Sequence, residues 1–177
     1  MKEATAMRPS HETEYCEFVA ANLIPLRRFA YLVCGDWHRA EDAVQTVLTK
    51  LYVDWHRTVR RDPQAYVRRM VVNALHDVHR RSWFRRERPA ETLPDTAYDR
   101  AEATEDRLVL LDALAKLPVR RRATLVLRFW EDRSIEDTAR IMGCSETTVK
   151  SQTARGLHTL RDLLPNSMTE RIEVIPT

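Results

Sequence analysis

Glycine is scarce, with three in 177 residues, and the eight prolines fall mainly at joints between patterned segments. An architecture of short strands and tight turns needs far more turn residues, so the shortage favours helices. Cys16, Cys34 and Cys144 are odd in number and widely spaced, with no C-x-x-C pair. That argues against a disulfide framework and predicts reduced, buried thiols in an intracellular protein. No apolar run approaches membrane-spanning length, and the charged N-terminus has no apolar signal core. No membrane insertion and a cytoplasmic location are therefore expected. There is no glycine-rich phosphate loop, no H-E-x-x-H and no nucleophile–base pair, so catalysis has no support and no cofactor is expected. His76 and His79 stand three apart, but no carboxylate or cysteine completes a set, so no metal site is expected either.

What the chain does have is charge, and it is segregated. Charged residues are 31% of the chain and the net charge is only +3. Yet Arg57, Arg60, Arg61, Arg68, Arg69, Arg80, Arg81, Arg85, Arg86 and Arg88 crowd less than one fifth of the sequence. Asp95, Asp99, Glu102, Glu105 and Asp106 follow at once. A basic block of this density points to a polyanion partner; an acidic segment beside it avoids or mimics one.

Apolar spacing is helical throughout, and the expected fold is all-α. Tyr15, Phe18 and Val19, then Leu26, Phe29, Ala30 and Val33, mark a first pattern that Pro25 is expected to split into two helices. Ala43, Val44, Val47, Leu48, Leu51, Tyr52 and Trp55 form the cleanest stripe. Asp62-Pro63 reads as an N-cap followed by proline at the first helical position. The helix after it is expected to bury Tyr66, Val67, Met70, Val71, Ala74 and Val78. Residues 89–105 carry prolines and acids without periodicity, hence a flexible linker. Leu108, Leu111, Leu114 and Leu117 open a second unit, and Ala123, Val126, Leu127 and Trp130 continue it. The division is a helical domain at 14–88, a linker at 89–105 and a second helical domain at 106–164.

Residues 134–161, SIEDTARIMGCSETTVKSQTARGLHTLR, read as a helix-turn-helix. Ser134 caps the first helix with Asp137 at the capping-box position, Gly143 ends it, and Ser145 caps the second. Ile135, Ala139, Ile141, Val149, Thr153, Leu157, Leu160 and Leu164 are expected to face inward. Thr147, Thr148, Lys150, Ser151 and Arg155 are left for the outer face, where hydroxyls and cations near a helix start suit phosphate docking and base-edge reading. In residues 62–88 aromatics interleave with arginines, and Asn73, His76, Asp77 and Arg80 lie opposite the apolar stripe. Arginines anchor phosphates and aromatics stack unpaired bases, a combination suited to melted DNA.

AEDAVQTVLTKLY (40–52), PQAYVRRMVVN (63–73) and the 134–161 run, in this order around an acidic tether, resemble bacterial ECF sigma factors of the sigma-70 class. VRRMVVN and WFRRERP are most similar to the actinobacterial SigE-like subgroup. The resemblance implies an alternative sigma factor that directs transcription initiation and is not an enzyme. It implies that the helix with Asp42 and Gln45 binds core RNA polymerase. It further implies −10 recognition by residues 56–62, Asn73, His76, Asp77, Arg80 and Arg81, and −35 promoter DNA reading by the recognition helix. The linker would thread toward the polymerase channels, where RNA displaces its acids. An anti-sigma factor, covering the polymerase-binding surfaces, is a partner the resemblance allows. A repressor gripping only duplex DNA would explain the helix-turn-helix but not the Asp42/Gln45 helix, the arginine block or the acidic tether.

Overall fold

A computed structural model describes residues 9–58, 62–85 and 104–168, the side chains of residues 9, 10 and 79–85 excepted. All regular structure among the described residues is helical. Helix α1 runs Pro9–Cys34 with Pro25 inside it. The expected break at Pro25 does not occur. Proline removes one hydrogen bond, to Ala21, but Ala21, Ile24 and Pro25 all lie on the exposed side, where water can take up the freed carbonyl. On the opposite side Leu26, Phe29, Ala30 and Val33 are fully buried and hold the helix straight through.

Gly35, at φ 77°, turns the chain, and Asp36 accepts from the Arg39 amide at 3.0 Å to start α2, Trp37–Thr58. Its buried stripe follows the expected spacing except at Tyr52, which is exposed. Trp55 is buried against Phe18 and, edge-on, Tyr15, whose hydroxyl donates to the Leu48 carbonyl at 2.9 Å. Asp62 caps α3, Pro63–Arg85, by accepting from the Ala65 amide at 3.0 Å.

The buried face of α3 differs from the expected one. Ala65, Val67, Arg68, Val71, Val72 and Leu75 are buried, whereas Tyr66 and Val78 are exposed and Met70 and Ala74 half-buried. The stripe is rotated because α3 touches two partners, the α1–α2 pair and the second half of the chain. Of the cysteines, Cys16 is exposed rather than buried, and Cys34 and Cys144 are intermediate.

Thr104 caps α4, Glu105–Ala115, accepting from the Arg107 amide. Glu105 and Asp106 form its first turn, where carboxylates meet the positive helix end. Asp95, Asp99 and Glu102 lie outside the described residues. After Pro118, α5 (Val119–Leu125) widens into one π turn, Val126–Trp130, closed by the Glu131 amide on the Val126 carbonyl at 3.0 Å. Helices α6 (Ile135–Met142) and α7 (Glu146–Leu163) complete the fold.

The two halves are packed together. Helices α4 and α5 lie against α1, α5 and α6 against α3, and α7 against α4, α5 and α6. Val119, Ala123, Val126, Leu127, Ile141 and Met142 join Phe29, Val33, Trp55, Val67 and Val71 in one apolar cluster. Leu125, on the other side of α5, joins Leu114, Leu117, Leu157, Leu160 and Leu164 in a second. Helix α5 therefore serves two cores at once.

Arg122 sits at this seam. It is 5% exposed and donates to the carbonyls of Ala115 and Leu117, at the end of α4. Its guanidinium also stands beside Gly35, at the end of α1. A cation between two helix C-termini is favourably placed, and it satisfies carbonyls that the helices leave open. Burial still lowers its pKa to about 10. Burial likewise pushes the neighbouring Cys34 thiol up to about 11.

Three outcomes follow from this burial. Leu127→Ala, at a position with no exposed surface, should cost about 2–5 kcal/mol in urea unfolding. It should lower one common transition for both halves rather than split them. At pH 8, iodoacetamide should label Cys16 well before Cys34, whose thiolate fraction falls about 100-fold below that of an ordinary thiol. Peptide mass spectrometry over time checks this. Because the folded state favours the protonated thiol, Cys34 should also erode stability as pH rises from about 9 toward 11.

Candidate nucleic-acid interface

The helix-turn-helix forms through the residues expected to form it. Ser134 Oγ accepts from the Asp137 amide at 2.9 Å, and the Asp137 carboxylate pairs forward with Arg140. Gly143 adopts the left-handed conformation at φ 61°, which lets the Cys144 amide return to the Ala139 carbonyl at 3.1 Å. Ser145 then accepts from the Thr148 amide at 3.2 Å and starts α7.

Val149, Thr153, Leu157, Leu160 and Leu164 are buried as their spacing required, and Ala139 and Ile141 with them, while Ile135 is half-buried. Gly156 is buried too, because α5 passes so close that an added Cβ would come within 2.9 Å of Leu125 Cδ1. That close approach was not legible in the chain; a lone glycine inside a helical pattern is its only trace. On the outer face Thr147, Thr148, Lys150 and Arg155 are exposed and Ser151 is half-buried. Thr148 Oγ1 lies 2.9 Å from Ser145 Oγ, so one hydroxyl of this face is shared with the cap. Gln152 accepts from Arg121 at 3.3 Å, which ties α7 to α5.

On the first half, Asp42 and Gln45 are exposed on α2, opposite Val44, Val47 and Leu48. Asn73 and Asp77 are exposed on α3 and His76 is half-buried. Arg80 and Arg81 belong to the same helix, but their side chains, like those of His79, Trp83 and Phe84, lie outside the described residues. So do residues 59–61 of the preceding loop. Tyr66, expected in the core, is exposed two helical turns before Asn73 and on the same side. It adds an aromatic surface to that polar face. The seven-residue spacing to Asn73 was the available signal. Among the described residues no group of three or more potential metal ligands comes together, and no helix is long and apolar enough to cross a membrane.

Two helical units, the second ending in a capped helix-turn-helix, define a class of transcription protein, and comparison with known proteins specifies it. Residues 18–85 match Sigma-70 region 2 and residues 107–160 match Sigma-70, region 4. The RNA polymerase sigma-E factor of Streptomyces avermitilis is 37% identical over 157 residues, covering 85% of each chain. The ECF RNA polymerase sigma factor SigM of Mycobacterium tuberculosis is 35% identical over 144 residues, 78% of this chain and 71% of its own. The sigma factor RpoE of Bartonella quintana, solved in complex with the anti-sigma factor NepR, shares the fold with a TM-score of 0.71. That likeness covers 85% of this chain and 96% of RpoE at 22% identity. The chain belongs to the ECF sigma factors of the sigma-70 family.

Ser145→Ala removes the hydroxyl that caps α7, so it should cost about 1 kcal/mol and fray the first turn. Hydrogen exchange at the amides of residues 147–149 should speed up while that of Leu157 stays slow.

Proposed function

We infer that this chain is an alternative sigma factor that carries core RNA polymerase to a limited set of promoters inside the cell. The chemistry of RNA synthesis belongs to the polymerase; this chain supplies recognition. The observation that carries the reading is the two-sidedness of α7, whose one face is buried while Thr147, Thr148, Lys150 and Arg155 are presented to solvent from a capped N-terminus. A helix start with hydroxyls and cations fits the major groove of an upstream −35 element. Ser151 sits at the margin of that face.

Capture of the opened −10 strand is assigned to α3. Asn73, His76 and Asp77 offer hydrogen-bonding groups, Arg80 and Arg81 offer phosphate anchors, and exposed Tyr66 offers a stacking surface. Attachment to the polymerase is assigned to the exposed side of α2 with Asp42 and Gln45. The acids of residues 89–105 would lie along the channels that later hold RNA, by their charge. RpoE of Bartonella quintana binds an anti-sigma factor. The shared fold makes a regulator of that kind a partner to test here.

The decisive experiment combines the purified chain with core polymerase and a random duplex pool, then assays run-off transcription from the enriched templates. Enrichment of a two-element promoter and templated RNA are expected; no core binding and no transcript would end the reading. With that duplex, Lys150→Ala and Arg155→Ala should each weaken binding by about 1–3 kcal/mol if the contact reaches a base edge. Asp42→Ala with Gln45→Ala should weaken core binding and leave the affinity of the free chain for the duplex unchanged.

A further inference from the structure

Helix α5 carries three arginines in a row, and each goes to a different place. Arg120 donates to the Met142 carbonyl at 2.7 Å, at the end of α6. Arg122 is buried on the carbonyls that end α4. Arg121 reaches a side chain of the recognition helix: its Nε donates to Gln152 Oε1 at 3.3 Å. The close crossing of α5 and α7 brings the two within reach. It falls at Leu125 and Gly156, where an added Cβ would stand 2.9 Å from Leu125 Cδ1. Arg121 and Gln152 each lie about one turn before that crossing, and both are half-buried.

At 3.3 Å the bond is near the long limit and contributes little to stability, but it fixes an orientation. A guanidinium has donors and no acceptor, so the atom of Gln152 that faces Arg121 is the oxygen, and the amide NH2 is turned away. Among the described residues no carboxylate pairs with Arg121, and its terminal nitrogens are uncommitted. What the pair offers outward is therefore a set of donors around a positive charge. A glutamine that reads adenine uses both its oxygen and its nitrogen, and here the oxygen is taken. A donors-only edge fits a phosphate oxygen instead.

The place of Gln152 on α7 indicates which phosphates. Successive residues turn by about 100°, so Lys150 and Gln152 stand about 160° apart, on opposite flanks of Ser151. A helix about 10–12 Å across fills a major groove about 12 Å wide, which leaves a sugar–phosphate strand along each flank. With Ser151 and Arg155 toward the bases, Lys150 lies along one strand and the Arg121–Gln152 pair along the other.

We propose that Arg121 and Gln152 form a clamp for a backbone phosphate of duplex DNA, which grips the strand that Lys150 does not and so sets the register of the recognition helix in the groove. The clamp selects no base; it positions the residues that do. It rests on the −35 reading for where it lands on a promoter, whereas its salt signature needs only a duplex.

The test measures binding of the full chain to the enriched promoter and to a random-sequence duplex at 50 and 200 mM KCl. The variants are Arg121→Ala, Arg121→Lys and Gln152→Glu, each checked by thermal unfolding. Loss of one phosphate contact should reduce the slope of log affinity against log salt by about 0.9 on either duplex. The deficit of Arg121→Ala should therefore be about 3.5-fold larger at 50 mM than at 200 mM. That deficit should be equal across single-base variants of the upstream element, and Arg121→Lys should keep the slope. In Gln152→Glu the new carboxylate should pair with Arg121 and hold the melting temperature at or above wild type, while the slope falls as in Arg121→Ala. A tie that served the fold alone would be strengthened by that carboxylate and leave the slope untouched. Wild-type slopes in both Arg121→Ala and Gln152→Glu, or a loss confined to particular base pairs, would overturn the clamp. If Arg121→Ala melts early, Gln152→Glu decides by the same slope. Should no promoter be enriched, the sigma-factor reading falls, and the random duplex still judges the clamp.

Discussion

Everything in this molecule turns on α5 and the π turn that extends it. One short segment supplies Val119, Ala123, Val126 and Leu127 to the core built by α1–α3, and Leu125 to the core that holds α7. A regular α-helix shows each partner one stripe. Widening the last turn by one residue, where Glu131 bonds back to Val126, re-aims the end of the segment so that Glu131 meets Arg68. Without that helix the second half would hold the first through α4 and α6 alone, and the first half would lose part of its wall.

The same arrangement joins stability to accessibility. Apolar burial across the seam is the dominant favourable term, and it acts without direction. Direction comes from the charged groups: Arg68 against Glu131, and Arg122 between the ends of α1 and α4. Buried ions tolerate one arrangement, because any other strands a charge. They therefore hold the halves in a single register while adding little net stability.

The proposed recognition surfaces obey a simpler logic. Helix α7 is capped at Ser145, packed on one side and polar on the other, so its outer face is set by local rules. Helix α3 is constrained on two sides, by α1–α2 and by α5–α6, and this rotates its buried stripe and pushes Tyr66 outward. An aromatic on the polar face beside Asn73 is thus a by-product of interdomain packing.

Much of this was legible in the chain. The all-helical class, the stripe of α2, the N-cap at Asp62, the left-handed Gly143 and the inward set Val149, Thr153, Leu157, Leu160 and Leu164 all rest on interactions within a few residues of each other. Motif order also carried the family. Pro25, Tyr66 and Val78 depart from the local pattern for one common reason: whether a helix face is buried depends on what packs against it, and that partner lies far along the chain. The seven-residue return of an apolar pattern is local physics, so sequence determined the helices, their caps and the face of α7. The pairing of Arg68 with Glu131 across 63 residues, the close approach at Gly156 and the docking of the halves are long-range matters of packing and charge, and only the tertiary structure decided them.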